Sequence, residues 1–154
     1  MDFGVATPEQ VAGLSGLEML RVMMAGNLPA PTIGRTLGFR LIEVEEGRAV
    51  FEGTPGPRLL NPLGAVHGGY ALTLIDSAAG CAVHTELAAG VGYTTVETKV
   101  NFTRPIDPNG GPIRCEGRVL SRGRTIATAE AFLRSGDGKL LAHGTSTLII
   151  LGGR

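Results

Sequence analysis

The sequence predicts an α+β fold in which an antiparallel sheet packs on one long helix. Three observations carry this. The stretch "GGYALTLIDSAAGCAV", residues 68–83, is almost wholly apolar or small and is the only long helix candidate in the body of the chain. Four strand-like runs follow it, separated by turn signals, and a hairpin pattern precedes it. Runs of strands beside one segregated helix form a sheet that covers the helix, and alternating strands leave the other sheet face to solvent or a partner.

Residues 7–26 read as helical. Thr7-Pro8-Glu9-Gln10 and Ser15-Gly16-Leu17-Glu18 are both capping-box patterns, and Leu17, Leu20 and Met24 follow at helical spacing. Gly26, Pro29 and Pro31 end that segment. From Phe39 to Thr54, "FRLIEVEE" and "RAVFEGT" form a hairpin that turns at Gly47. Gly90 and Gly92 are expected to close the long helix. In "YTTVETKVNFTRP", Thr94, Val96, Thr98, Val100 and Phe102 alternate with Thr95, Glu97, Lys99, Asn101 and Thr103, the period of a half-buried strand. "IDPNGGP" is a loop, and "IRCEGRVLSRG", "TIATAEAFLRS" and "KLLAHGTSTLIIL" are the remaining strands.

The 154 residues suit one domain. Fourteen basic and fourteen acidic residues cancel without a Lys/Arg run, so neither a nucleic-acid interface nor a polybasic membrane anchor is expected. No apolar run approaches the roughly 18 residues that span a bilayer, and no signal-peptide pattern opens the chain, so a cytoplasmic location is expected. Cys81 and Cys115 read as reduced and structural, and His67, His84 and His143 lack ligand spacing, so no metal site is expected.

Asp76 is the one acid in the apolar helix. An ionised carboxylate there is costly unless hydrogen bonds or a partner offset it. Asp76 either caps a local turn or bonds backbone, or it does chemistry. A helix apolar on all sides must be buried all round, yet one sheet covers one side, so a second copy is expected to cover the rest. His67-Gly68-Gly69 lies where the helix begins, where unpaired N–H groups and the positive dipole end can hold an oxyanion, or where two glycines simply make a turn. Asn61 either orients a water or carboxylate or closes an Asx turn.

Taken together, "NPLGAVHGGYALTLID" joins an amide, an imidazole, a Gly-Gly helix start and a carboxylate nine residues past the histidine. It resembles the hotdog-fold acyl-CoA thioesterases of the phenylacetate-pathway (PaaI-like) type. The resemblance extends over roughly residues 34–150, through "YTTVETKVNFTRPI", "SRGRTIATAEAFL" and "GDGKLLAHGTSTLII". It divides the chain into an N-terminal helical extension, 1–33, and a thioesterase domain, 34–154.

The resemblance implies a sheet wrapped around the central helix, dimers that commonly form tetramers, and sites at the dimer interface. It implies Asn61, His67, Gly68 and Asp76 as site residues, with Thr95 at the start of the strand after the helix. Helix geometry supports sharing independently: Gly68 and Asp76 are separated by about 12 Å along the axis, too far for one chain to bring both to one carbonyl. No cofactor is implied, since coenzyme A is part of the substrate. Arg104, Arg122 and Arg124, in surface turns, are candidates for its phosphates or are solvated turn charge. Tyr70, Leu63, Met19, Met23 and Met24 either line an apolar acyl pocket or belong to the core. The rival readings are a hotdog dehydratase or hydratase and a non-catalytic acyl-CoA-binding module.

Overall fold

The computed structural model describes residues 2–152. Its elements are α1 (Pro8–Val11), α2 (Gly16–Met24), α3 (Thr32–Leu37), β1 (Phe39–Glu45), β2 (Arg48–Gly53), a 3₁₀ turn (Pro57–Leu59), α4 (Gly68–His84), β3 (Gly92–Phe102), β4 (Ile113–Arg122), β5 (Ile126–Ser135) and β6 (Leu140–Leu151). The six strands make one antiparallel sheet in the order β1-β2-β4-β5-β6-β3, so β1 and β3 are its edges. This is the α+β hotdog arrangement that the sequence predicts.

Helix α4 lies across one face, antiparallel to β3. Three rungs fix that register: Gly68 against the Phe102 ring, Asp76 bonded to Thr98, and Gly80 against the Tyr93 phenol. Eight helical residues and four strand residues both cover about 12–13 Å, so the first two rungs keep step. Contact is close because the facing residues are small. The carbonyl of Ala78 occupies the space that a Cβ on Gly117 would need. Leu74, Ile75, Ala78, Ala79, Ala82 and Val83 have no accessible surface, whereas Leu72 is 41% exposed and Thr73, Asp76 and Ser77 are half-buried. A single chain therefore leaves one stripe of α4 uncovered.

The structure corrects several local expectations. Residues 7–26 form two helices, not one, because Gly13 takes φ +78 between them; each keeps its own capping box. Helix α3 is an additional element and runs across residue 33. Helix α4 ends at His84, before Gly90 and Gly92, since the Thr85 hydroxyl donates to the Ala82 carbonyl at 2.6 Å and accepts the Gly47 N–H at 2.8 Å. That bond ties the helix end to the β1–β2 turn. In β3 a bulge between Thr95 and Glu97 changes the parity: Tyr93 and Thr95 share the inward side with Thr98 and Val100, while Thr94 and Val96 are exposed.

Replacing Gly117 by Ala is expected to cost about 1–3 kcal/mol by overpacking against α4, read as a lower urea midpoint with unchanged far-UV dichroism. The control is Gly56→Ala, where a methyl meets open space and the midpoint stays put.

Candidate active site

The loop before α4 is shaped by Asn61. Its Oδ1 accepts the N–H groups of Leu63 at 2.9 Å and Ala65 at 3.1 Å, while its own N–H donates to the Ala65 carbonyl at 2.7 Å. The Asx turn is thus present, and it leaves the Asn61 amide NH₂ as the group able to donate outward. The His67 N–H donates to the Leu59 carbonyl at 2.7 Å, which fixes His67 as the N-cap of α4. The His67 ring accepts the Gly69 N–H on Nδ1 at 2.9 Å. The neutral ring then carries its proton on Nε2, a second outward donor.

With Gly69 bonded to His67 and the Tyr70 N–H directed to the His67 carbonyl, Gly68 keeps the N–H at the helix start that is unbonded among the described residues. It opens on a cleft of about 300 Å³ whose lining includes Asn61, Val66, Phe102, Arg104 and Leu141. A Cβ on Gly68 would come within 3.1 Å of the Phe102 ring, so the glycine clears the approach to its own N–H. Donors and the positive end of a 17-residue helix converge here, an arrangement suited to negative charge on oxygen.

Two turns along α4, Asp76 has different company. Its Oδ1 accepts from the Thr98 hydroxyl at 3.3 Å, and Thr98 lies 2.9 Å from the buried hydroxyl of Ser146, which can donate to it in turn. Neither Thr98 nor Ser146 was singled out from the sequence. The signal existed for Ser146, since the period-2 burial of β6 makes it an inward polar residue between Gly144 and Leu148. Thr95 is half-buried on the inward side of β3 and makes no side-chain hydrogen bond among the described residues. The structure therefore joins Asp76 to Thr98, not to Thr95, within one chain.

Beyond Asp76, Tyr93 reaches over Gly80 beside the Cys81 thiol, and its ring meets His84 edge-on at 5.5 Å between centroids. Burial, with Cys81 and Asp76 nearby, holds the Tyr93 phenol well above its ordinary range. Burial also pushes the Cys81 thiol up to about 12 and holds His84 below the usual imidazole value. Both cysteines are free, and among the described residues no three His, Cys, Asp or Glu side chains gather as metal ligands.

The candidate arginines fall at opposite ends of the sheet. Arg104 lines the cleft with Asn61 and Gly68 and donates to the Leu140 carbonyl at 3.0 Å. Arg122 ends β4 and Arg124 lies in the β4–β5 turn, at the end where β5 and β6 bring Ile126 and Ile149 beside Thr94. None of the three is ion-paired among the described residues, whereas Arg40, Arg48, Arg114 and Arg118 are bound to Glu43, Glu45, Glu52 or Glu116. Of the acyl-pocket candidates, Tyr70 is buried with its hydroxyl against Gly53, Leu63 is 92% exposed, and Met19, Met23 and Met24 line an apolar cavity.

Residues 63–142 match the thioesterase superfamily. A candidate esterase of Saccharolobus solfataricus is 34% identical over 122 residues, which cover 79% of this chain and 85% of that protein. A phenylacetic acid degradation-related protein of Ralstonia eutropha superposes with a TM-score of 0.77 at 30% identity, over 84% of this chain and 98% of that one. A Streptococcus mutans protein solved with acetyl-CoA bound shares the fold, with a TM-score of 0.68 at 24% identity over 76% of this chain and 91% of its own. The chain belongs to the thioesterase superfamily, in its hotdog, PaaI-like branch. It is a thioester hydrolase.

Thr98→Val is expected to lower kcat about tenfold by removing a hydrogen bond to a charged group, while Thr98→Ser restores it. Steady-state thiol release with a saturating thioester measures both; a loss in KM alone would mean that Thr98 does not position Asp76.

Proposed function

We propose that the protein is a cytoplasmic acyl-CoA thioesterase that releases free acid and coenzyme A from aryl-, arylacetyl- or medium-chain acyl-CoA. It acts as a homodimer with shared sites, paired further into a tetramer. One observation carries the reading: donors and acceptor lie apart on one chain. Asn61, His67 and Gly68 gather at the N-terminus of α4, and Asp76 lies eight residues further on. A reacting carbonyl needs an oxyanion donor and a nucleophile or base within about 3 Å, so two antiparallel copies are required.

Two features support pairing through this face. The stripe Leu72, Thr73, Asp76 and Ser77 of α4 is uncovered. β3 is an edge strand of eleven residues with Val96 and Phe102 exposed. With the axis beside β3, the Asn61 end of one chain would meet the Thr95 end of the other, and Arg104 would share one nucleotide with Arg122 and Arg124 of the partner subunit. The acetyl-CoA held by a Streptococcus mutans protein of this fold supports a CoA thioester as substrate.

In this reading the thioester oxygen sits on the Gly68 N–H, with His67 Nε2–H and the Asn61 amide helping to orient the substrate or the water. The partner subunit's Asp76 takes one of two parts. As nucleophile it forms an acyl–aspartate anhydride, expels coenzyme A thiolate and is regenerated by water; as base it takes a proton from the attacking water. Both routes consume one water and give acid and thiol. Thr98 steadies the carboxylate, and Thr95, inward on the same strand, faces the attacking water.

Asp76→Asn is expected to lower kcat by about 10²-fold or more, with the melting temperature unchanged or raised because a desolvated charge is removed. Near-normal turnover would sink the assignment. Sharing is tested by co-refolding equal amounts of Asn61→Ala/His67→Ala and Asp76→Ala. About half of the dimers are then mixed, each with one intact site, so activity should approach roughly a quarter of wild type. With size-exclusion chromatography confirming that dimers or larger assemblies re-formed, no rescue from mixed dimers would mean that Asp76 serves its own chain's Gly68 or that one of them is not catalytic.

A further inference from the structure

Two polar side chains are buried among the described residues, Thr85 and Ser146. Thr85 ends α4 and ties it to the β1–β2 turn. Ser146 has no comparable task in the fold. It is 1% exposed, it pairs with Ala129 of β5 on one side and Thr98 of β3 on the other, and its neighbours on the inward face of β6 are Gly144 and Leu148. An alanine would fill the same place without desolvating a hydroxyl, which is a cost unless the hydroxyl is bonded. Among the described residues the Ser146 hydroxyl has one partner, Thr98 Oγ1 at 2.9 Å.

The direction of that bond follows from Asp76. A carboxylate only accepts, so Thr98 spends its one proton on Asp76 Oδ1, at 3.3 Å, and meets Ser146 with a lone pair. Ser146 is therefore the donor. A threonine hydroxyl without a donor behind it is free to turn its proton elsewhere, and 3.3 Å is long for an O–H···O bond. Ser146 fixes that rotor and polarises the outgoing bond. The chain ends at Ser146, so it holds the carboxylate and leads no proton inward. Asp76 Oδ1 is thus engaged, whereas Oδ2 accepts no hydrogen bond among the described residues.

We propose that Ser146 is a positioning residue for the thioester hydrolysis: it acts through Thr98 to hold Asp76 Oδ1, which makes Oδ2 the reacting oxygen. The inference rests on the assignment of Asp76 above. In the nucleophilic route the bond from Oδ2 to the carbonyl carbon forms, the carbon–sulfur bond breaks and the thiolate leaves with the electron pair, water later releasing the acid. In the base route a proton of water passes to Oδ2 as the hydroxide adds, and the departing thiolate takes up that proton. Either route gains from a carboxylate that cannot rotate between its two oxygens. The gain belongs to kcat, because substrate binding is left to the groups at the helix start.

The test is a double-mutant cycle on thiol release from saturating octanoyl- or phenylacetyl-CoA, with melting temperature as the check on folding. Ser146→Ala should lower kcat about fivefold at unchanged KM and leave the melting temperature within a few degrees, since alanine fits beside Ala129. In a Thr98→Val background the same substitution should change kcat by less than about 1.5-fold, because Ser146 acts only through Thr98. Ser146→Cys keeps a weak donor and should fall between wild type and Ser146→Ala. An unchanged kcat in Ser146→Ala, or an equal loss with and without Thr98, would overturn the proposal. If the wild type releases thiol from neither thioester, or Asp76→Asn keeps near-normal turnover, the reading of the site fails instead. The chain is then judged by the carboxyl-carbon NMR resonance of Asp76: displacement by Ser146→Ala in the wild-type background but not in Thr98→Val keeps Ser146 as the residue that positions the carboxylate, and no displacement removes it.

Discussion

At Gly117 the α4 backbone comes so near the sheet that the Ala78 carbonyl takes the place of a side chain. Everything functional is referenced to that contact. With alanines along its buried face, α4 sits low on the sheet and antiparallel to β3, and the rungs at Phe102, Thr98 and Tyr93 follow from the ratio of helix rise to strand rise. The helix start becomes a cluster of donors, its middle carries the carboxylate, and its end meets the N-terminal helices. A bulkier residue at Gly117 or Gly80 would lift the helix and break all three correspondences at once.

The architecture was legible because periodicity reports burial directly. The hairpin at Gly47, the long helix and the last three strands appear where the sequence places them. What was not legible depends on contacts between distant segments. Nothing in "VHTELAAGVGY" tells that Thr85 will bond the turn at Gly47 and stop the helix early. The β3 bulge is likewise a product of pairing with β6, and it reassigned Tyr93 and Thr95 to the inward side. That shift matters, because it makes Tyr93 part of the wall of the apolar cavity and leaves Thr98 as the residue bonded to Asp76.

The two ends of the candidate site also differ in kind. At the helix start, the acceptors Asn61 Oδ1 and His67 Nδ1 are both consumed by backbone N–H groups, so what faces outward donates. Around Asp76 the sense is reversed, with the hydroxyls of Ser146 and Thr98 able to point their protons in series at the carboxylate. Sequence reasoning weighed the Asx turn at Asn61 against a functional role as alternatives. The geometry shows the turn, with Asn61 Oδ1 taken up by the N–H groups of Leu63 and Ala65, and a turn of this kind leaves the amide NH₂ free to donate.

The free edge of β3 extends this picture into the behaviour of the protein in bulk. Eleven residues of edge strand, interrupted by one bulge and carrying exposed Val96 and Phe102, present a ladder of unpaired N–H and C=O groups. Such a ladder is a template for indiscriminate strand addition unless another chain covers it. Lys99 is the only positive charge on that strand to discourage it. The face that would complete the site is therefore also the surface on which precipitation would begin. Substitutions there would be selected on colloidal grounds as well as on turnover, so that face is constrained even at positions that never approach the substrate.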